Sequence, residues 1–203
     1  MKDHIIIMAK DPFQSKVKTR LAKSIGEEAA RGIYSRLLYG TLNKVLAPIS
    51  NDFRIILNLS TKMSEKYFKE AYPEFGIEIQ CPGDIGIRMH HSFLNAFEKG
   101  AEKVVLIGTD IPGIDWQIIN QAFENINNRS IVIGPTGDGG YYLLGMAHPG
   151  ANIFNNVSWS SPEVLRQTIT NIEEQGYDTV LLPELEDIDN EMELRHWQSR
   201  LTR

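Results

Sequence analysis

Short apolar runs alternate along the chain with longer stretches whose apolar residues recur at helical spacing. The run HIIIMA at 4–9 is β-branched and apolar on successive residues, the pattern of a parallel strand buried on both faces. Comparable runs at 54–59 (RIILNL), 77–80, 103–108 (KVVLIG), 130–134 and 177–182 predict further strands. Between them, helices are predicted over 24–47, 64–71, 87–100, 116–127, 161–175 and 191–201. The first has Ala30, Ile33, Leu37, Thr41 and Val45 along its apolar face, and Ser24-Ile25-Gly26-Glu27 has the form of a capping box at its start. The 87–100 helix ends on Gly100, and Ser161 and Pro162 open the 161–175 helix. A strand at 141–146 follows 130–134 too closely for a helical crossover and predicts an antiparallel insertion. Alternating strands and helices predict an α/β fold: a three-layer sandwich with a mostly parallel central sheet.

Composition narrows this picture. A chain of 203 residues suits a single domain over 1–203, and 42% hydrophobic with 23% charged residues argues against disorder. No apolar run approaches a membrane span, and no charged start, apolar core and small-residue cleavage site mark a signal peptide. Cys81 is the only cysteine, so no intrachain disulfide forms and a cytoplasmic setting is expected. The net charge of −5 offers no general attraction to nucleic acid or membrane surfaces. There is no GxxxxGK[ST], no GxGxxG after the first strand, no HExxH and no GxSxG. His90 and His91 have no partner at metal-ligand spacing and receive no role.

Against that acidic background, the loop after the first strand stands out. KDPFQSKVKTRL places Lys10, Lys16, Lys18 and Arg20 within eleven residues, at a strand's carboxyl end, where open α/β sheets bind ligands. A phosphate-bearing ligand is expected there, with Lys18 and Arg20 the better placed because a helix N-terminus follows. Asp110 comes just after the central 103–108 strand. It reads either as a ligand for Mg²⁺ or Mn²⁺ held against a diphosphate, or as the cap of the next turn. Asp187 and Asp189, favoured over Glu186, could supply the other side of a metal site, or Asp189 or Asn190 could cap the last helix, with Glu193 three residues after Asn190. Asp138, among glycines, reads as a ligand for sugar hydroxyls or as a tight-turn residue. Tyr141 and Tyr142 face opposite sides, so one lines the pocket and the other joins the core. Trp159 either stacks on a ligand ring or packs on the sheet.

Six stretches in order carry a resemblance: AKDPFQSKVKTRL, GDIGIRM, LIGTDIP, GPTGDGGYYLLGM, FNNVSWSSPEVLRQT and LEDIDNEMEL. Together, from Ile5 to about Trp197, the chain resembles the DUF2064 family, small bacterial proteins provisionally classed as nucleotide-diphospho-sugar transferases and also called selenodomain-associated transferase 1. Phospholactate guanylyltransferase and the molybdenum-cofactor guanylyltransferase look like more distant relatives. The resemblance implies a nucleotide-diphospho-sugar transferase (GT-A) type fold and a nucleotide or nucleotide-sugar substrate bound by Ala9, Lys10, Lys18, Arg20, Asp84, Gly139, Gly140 and Tyr141. It implies a metal, Mg²⁺ or Mn²⁺, on Asp110 with Asp187 or Asp189 nearby; taken with the basic loop, the expected catalytic residues are Lys18, Arg20 and Asp138. The expected reaction is metal-dependent transfer of a sugar to an acceptor that the sequence does not identify. A nucleotidyltransferase releasing pyrophosphate and a non-catalytic nucleotide-binding protein are the alternatives. No nucleic-acid partner is expected, and a monomer or an oligomer is compatible with the sequence. The family pattern has glycine where this chain has Ser15.

Overall fold

The computed structural model describes residues 3–13, 16–46, 53–148 and 152–201, apart from the side chain of Leu201. Ser15 and Pro48 lie outside the described residues. Strand β1 (Asp3–Ala9) leads through the basic loop to α1 (Thr19–Ile25) and α2 (Glu27–Leu46). Then follow β2 (Phe53–Leu59), α3 (Glu65–Ala71), β3 (Gly76–Ile79), α4 (Ile85–Glu98), β4 (Lys103–Ile107) and α5 (Trp116–Asn125). The chain closes with β5 (Ser130–Pro135), β6 (Tyr141–Met146), α6 (Val164–Glu174), β7 (Asp178–Leu181) and α7 (Glu191–Leu201).

The strands form one sheet in the order β3-β2-β1-β4-β6-β5-β7. Strand β6 runs antiparallel to both β4 and β5, as its short connection requires, and the other pairings are parallel. Strand alternation explains the three layers. Ile5, Ile7 and Ala9 face one side, against Leu38 and Leu42 of α2, Phe68 of α3 and Ile119 of α5. Ile6 and Met8 face the other, against Met89 and Phe93 of α4 and Ile172 of α6. Burying each such large side chain stabilises the fold by about 1.5–3 kcal/mol relative to exposure. A third cluster, Leu21, Ala30, Leu37, Ile188 and Leu194, ties α1, α2 and α7 together. No helix among the described residues is long and apolar enough to cross a membrane.

The first helical prediction is corrected. Helix begins at Thr19, so Ser24 lies inside α1 and does not cap; Gly26, at φ 87°, separates α1 from α2. At the other end of the chain the capping box is present: Asn190 Oδ1 accepts from Glu193 N at 3.1 Å, and Glu193 Oε2 accepts from Asn190 N at 3.0 Å.

Candidate active site

The parallel strands β1, β4, β5 and β7 deliver their carboxyl ends to one edge of the sheet, and the β5–β6 turn lies at the same edge. The basic loop is fixed there by buried polar groups. The Tyr34 hydroxyl accepts from Lys10 N at 2.8 Å, donates to Lys10 O at 3.0 Å and accepts from Thr109 Oγ1 at 3.3 Å. This one side chain of α2 joins the ends of β1 and β4; burial above all raises its pKa, so it stays protonated. The carboxylate of Asp11 is fully buried and accepts from Phe13 N, Thr61 Oγ1, Ser64 N and Ser64 Oγ at 2.8–3.2 Å. Four donors compensate the desolvation of that charge and lock the loop to the β2–α3 connection. Gln80 Nε2 adds a bridge to Ala9 O at 3.2 Å and Asn58 O at 2.8 Å.

The loop ends at Lys18, a non-glycine residue in the left-handed region at φ 47°, ψ 47°. Its side chain is 1% exposed, and Nζ lies 3.0 Å from Asp110 Oδ1 and 3.1 Å from Asp189 Oδ1. The Asp189 contact is a hydrogen bond; at Asp110 the pairing is ionic without hydrogen-bond alignment. Arg20 Nη1 approaches Asp189 Oδ2 at 3.5 Å but stays largely exposed. Ile188 plugs the third cluster, which brings the flanking Asp187 and Asp189 to the sheet edge. Glu186 turns away, 3.4 Å from His196 Nδ1 and Arg200 Nη1 of α7. The Asp187 carboxyl is pushed up to about 6, first by burial and then by Asp189, Asp138 and Glu193, with Lys18 acting in the opposite direction.

These groups surround a cavity of about 320 Å³, lined among others by Ala9, Lys10, Asp110, Asp138, Gly140 and Asp187. Asp138 Oδ1 accepts from Thr136 Oγ1 at 2.6 Å and Gly140 N at 3.0 Å, so its turn is self-braced. Half-buried Tyr141 and buried Tyr142 both line the cavity, so the expected division into one pocket and one core tyrosine is corrected; Tyr142 also donates to Pro183 O at 3.0 Å. Arg20 and Asp189 line an adjoining cavity. Three predicted site residues lie outside the lining of both. Lys18 is packed behind the acidic residues, and Asp84 caps α4 by accepting from Ile87 N at 2.9 Å. Gly139, at φ 86°, packs where an added Cβ would lie 2.1 Å from Pro162 O. Lys16 faces a separate depression of about 280 Å³ with Lys23, Glu27 and Arg31. Tyr34, Gln80 and Arg88 line the main cavity without having been singled out in the sequence. Of these, only Arg88 carried a signal, as the one cation of GDIGIRM.

A hard divalent cation suits this donor set. Asp110 and Asp187 line one cavity, and added positive charge there would offset both the burial of the Asp187 carboxylate and its acidic neighbours. Among the described residues no three acidic, histidine or cysteine side chains converge on one point. Asp110 and Asp187 could hold such an ion only if phosphate and water completed its shell, a pattern common for Mg²⁺.

A solved structure from Desulfovibrio desulfuricans G20, provisionally named a nucleotide-diphospho-sugar transferase, is 27% identical over 97% of this chain and 86% of its own, with a TM-score of 0.86. The 4-diphosphocytidyl-2C-methyl-D-erythritol synthase of Anaerococcus prevotii DSM 20548 covers 99% and 96% at 12% identity and TM-score 0.63. The inositol-1-phosphate CTP transferase of T. maritima covers 99% and 94% at 12% identity and TM-score 0.57. These last two show a common fold, and all three are named for transferase or synthase activity. The architecture is therefore of the GT-A type found in nucleotide-dependent transferases. No curated protein sequence matches the chain. The sequence profile described as "Uncharacterized protein conserved in bacteria (DUF2064)" matches residues 42–161, which take in GDIGIRM, LIGTDIP and the GPTGDGGYYLLGM turn, and the chain belongs to that family.

Proposed function

We propose that the chain is a metal-dependent transferase that binds a nucleotide-linked substrate in the 320 Å³ cavity and transfers its sugar to an acceptor. The observation that carries this reading is the meeting, at one sheet edge, of the braced basic loop with Asp110, Asp138 and Asp187 around a single cavity. The 27% identical neighbour supports the choice of ligand class. Lys10, whose backbone is pinned by Tyr34, offers an exposed ammonium to the phosphates, and Arg20 is free to swing toward them from the rim. Lys18 acts on the acids: its ammonium fixes the Asp110 and Asp189 carboxylates in place. Asp110 and Asp187 would hold Mg²⁺ or Mn²⁺, which when bound neutralises charge on the departing diphosphate. In the transfer the acceptor oxygen bonds to the anomeric carbon, and the bond from that carbon to the diphosphate oxygen breaks. The nucleoside diphosphate leaves with the electron pair, and the acceptor's proton passes to Asp138.

The lysine-rich loop also favours a second reading, nucleotidyl transfer, in which the acceptor attacks the α-phosphorus of a triphosphate and pyrophosphate leaves. Thermal-shift screening of nucleoside diphosphates, triphosphates and nucleotide sugars with Mg²⁺ or Mn²⁺, followed by identification of the released product, separates the two. The sugar-transfer reading expects a metal-dependent shift and nucleoside diphosphate release. Pyrophosphate release overturns it, and an Asp110→Ala protein with undiminished metal-dependent nucleotide binding overturns the metal assignment.

A further inference from the structure

The adjoining cavity has a volume of about 450 Å³ and shares Ile85, Met89, Asp138, Gly140 and Tyr141 with the nucleotide cavity. Its outer wall is the segment before α6, Trp159 to Pro162. That wall is built tightly. A Cβ added to Gly86 at the start of α4 would fall 2.4 Å from the Trp159 ring, so the indole lies directly on the helix backbone. Gly139 approaches Pro162 as closely from the other side, and Leu165 N donates to Gly139 O at 2.8 Å. Asn156 and Ser160 both hold positive φ, 55° and 64°, within this short segment. Backbone held in such conformations persists where surrounding contacts over-determine it.

The chemistry of the lining is specific. Trp159 is half-buried against the α4–α6 core, with its indole in the cavity lining. Met89 and Ile85 extend the apolar surface, while Asp138, Asp189, Ser160 and Ser161 supply oxygens. The one cation in the lining, Arg20, already lies 3.5 Å from Asp189. An anionic ligand would face two carboxylates against one partly engaged guanidinium. A neutral ring bearing hydroxyls meets complementary groups throughout: its C–H face on the indole, its hydroxyls on carboxylates and serines.

We propose that this cavity is the acceptor site and that it takes a neutral polyhydroxylated ring, a pyranoside or a cyclitol. The assignment of the ring as acceptor rests on the transferase reading above; the binding chemistry of the cavity does not. The test is ligand-observed saturation-transfer NMR with methyl α-D-glucopyranoside and myo-inositol, and with glucose 6-phosphate as the anionic comparator. Nucleotide binding to the wild-type protein is read in parallel by thermal shift with UDP and GDP in Mn²⁺. At least one neutral ring is expected to bind saturably and no more weakly than the phosphorylated sugar. Trp159→Ala weakens it by about tenfold, the worth of one aromatic face, while Trp159→Phe stays close to wild type and excludes a mere folding defect. Absence of binding by both neutral probes, unchanged affinity in Trp159→Ala, or clearly tighter binding of glucose 6-phosphate overturns the proposal. Neutral-ring binding without any nucleotide shift refutes the transferase reading and with it the acceptor role, but leaves the cavity's ligand chemistry standing.

Discussion

Lys18 shows how a residue's type can predict its neighbourhood without predicting its partner. The sequence marks it as one of four cations awaiting an anion, and phosphate is the natural candidate. In the fold its left-handed backbone turns the side chain inward, and the anions it meets are Asp110 and Asp189. Removing that ammonium leaves two carboxylates repelling each other at the sheet edge. Because the carboxylates are 46% and 31% exposed, water screens part of the loss. Lys18→Met is expected to cost about 1–3 kcal/mol in urea unfolding at pH 7. Mn²⁺ should raise the unfolding midpoint of this variant by more than that of wild type, since the acids then lack their internal cation. An unchanged urea midpoint would refute the bridging role.

Elements were legible where local pattern decides them. The apolar runs at 4–9 and 103–108 became β1 and β4 because strands covered on both faces need apolar residues at successive positions. The antiparallel β6 followed from the length of its connection alone. The start of α1 was not legible, because Lys18 sets it with a backbone conformation that no local residue signal announces, and Ser24 imitated a cap inside a helix. The same limit applies to the site. The acidic and basic residues were visible as charges, while Tyr34, Gln80 and Arg88 sit on or before helices whose faces only tertiary packing orients. Where a cap signature does coincide with a true terminus, its worth can be measured. Asn190 Oδ1 accepts from Met192 N and Glu193 N at 3.0 and 3.1 Å, and Glu193 returns bonds to Asp189 N and Asn190 N. Asn190→Ala is expected to lower stability by about 1 kcal/mol, and the double variant with Glu193→Ala by less than the sum of the single changes, because the two share one motif. Because the box ends the loop that carries Asp187 and Asp189, loss of the cap should also weaken nucleotide binding; an intact thermal shift with UDP or GDP in the double variant would separate cap from site.

For the whole molecule, two ionisable groups set opposing limits on stability. His4 lies on β1 between β2 and β4, 1% exposed, and burial, with Arg54 next, holds its pKa below the usual 6.5. The unfolded chain therefore takes up a proton that the folded chain refuses. Its stabilising effect is full above the unfolded value of about 6.5 and is lost as pH falls below it. Asp187 acts in the reverse sense. Its carboxyl is raised from 3.8 to about 6, chiefly by burial, so the folded state holds a proton that the unfolded chain has released. That preference favours folding below about pH 4, fades as pH rises toward 6, and is a constant cost at neutral pH. Asp187→Asn removes the cost without removing bulk. It should raise stability at pH 7.5 by about 1 kcal/mol, a figure reduced for the group's partial exposure, and leave it nearly unchanged at pH 4. His4→Asn should flatten the acid limb between pH 7 and 5 whatever it does to the absolute midpoint. Thermal unfolding of wild type and both variants across pH 4–8 reads both effects, and an Asp187→Asn curve parallel to wild type throughout would refute the raised Asp187 pKa. The same shift makes the site stability-limited at rest: Asp187, which would help to hold a metal, is kept buried beside other acids at a cost to the fold, which bound cation and nucleotide are expected to repay.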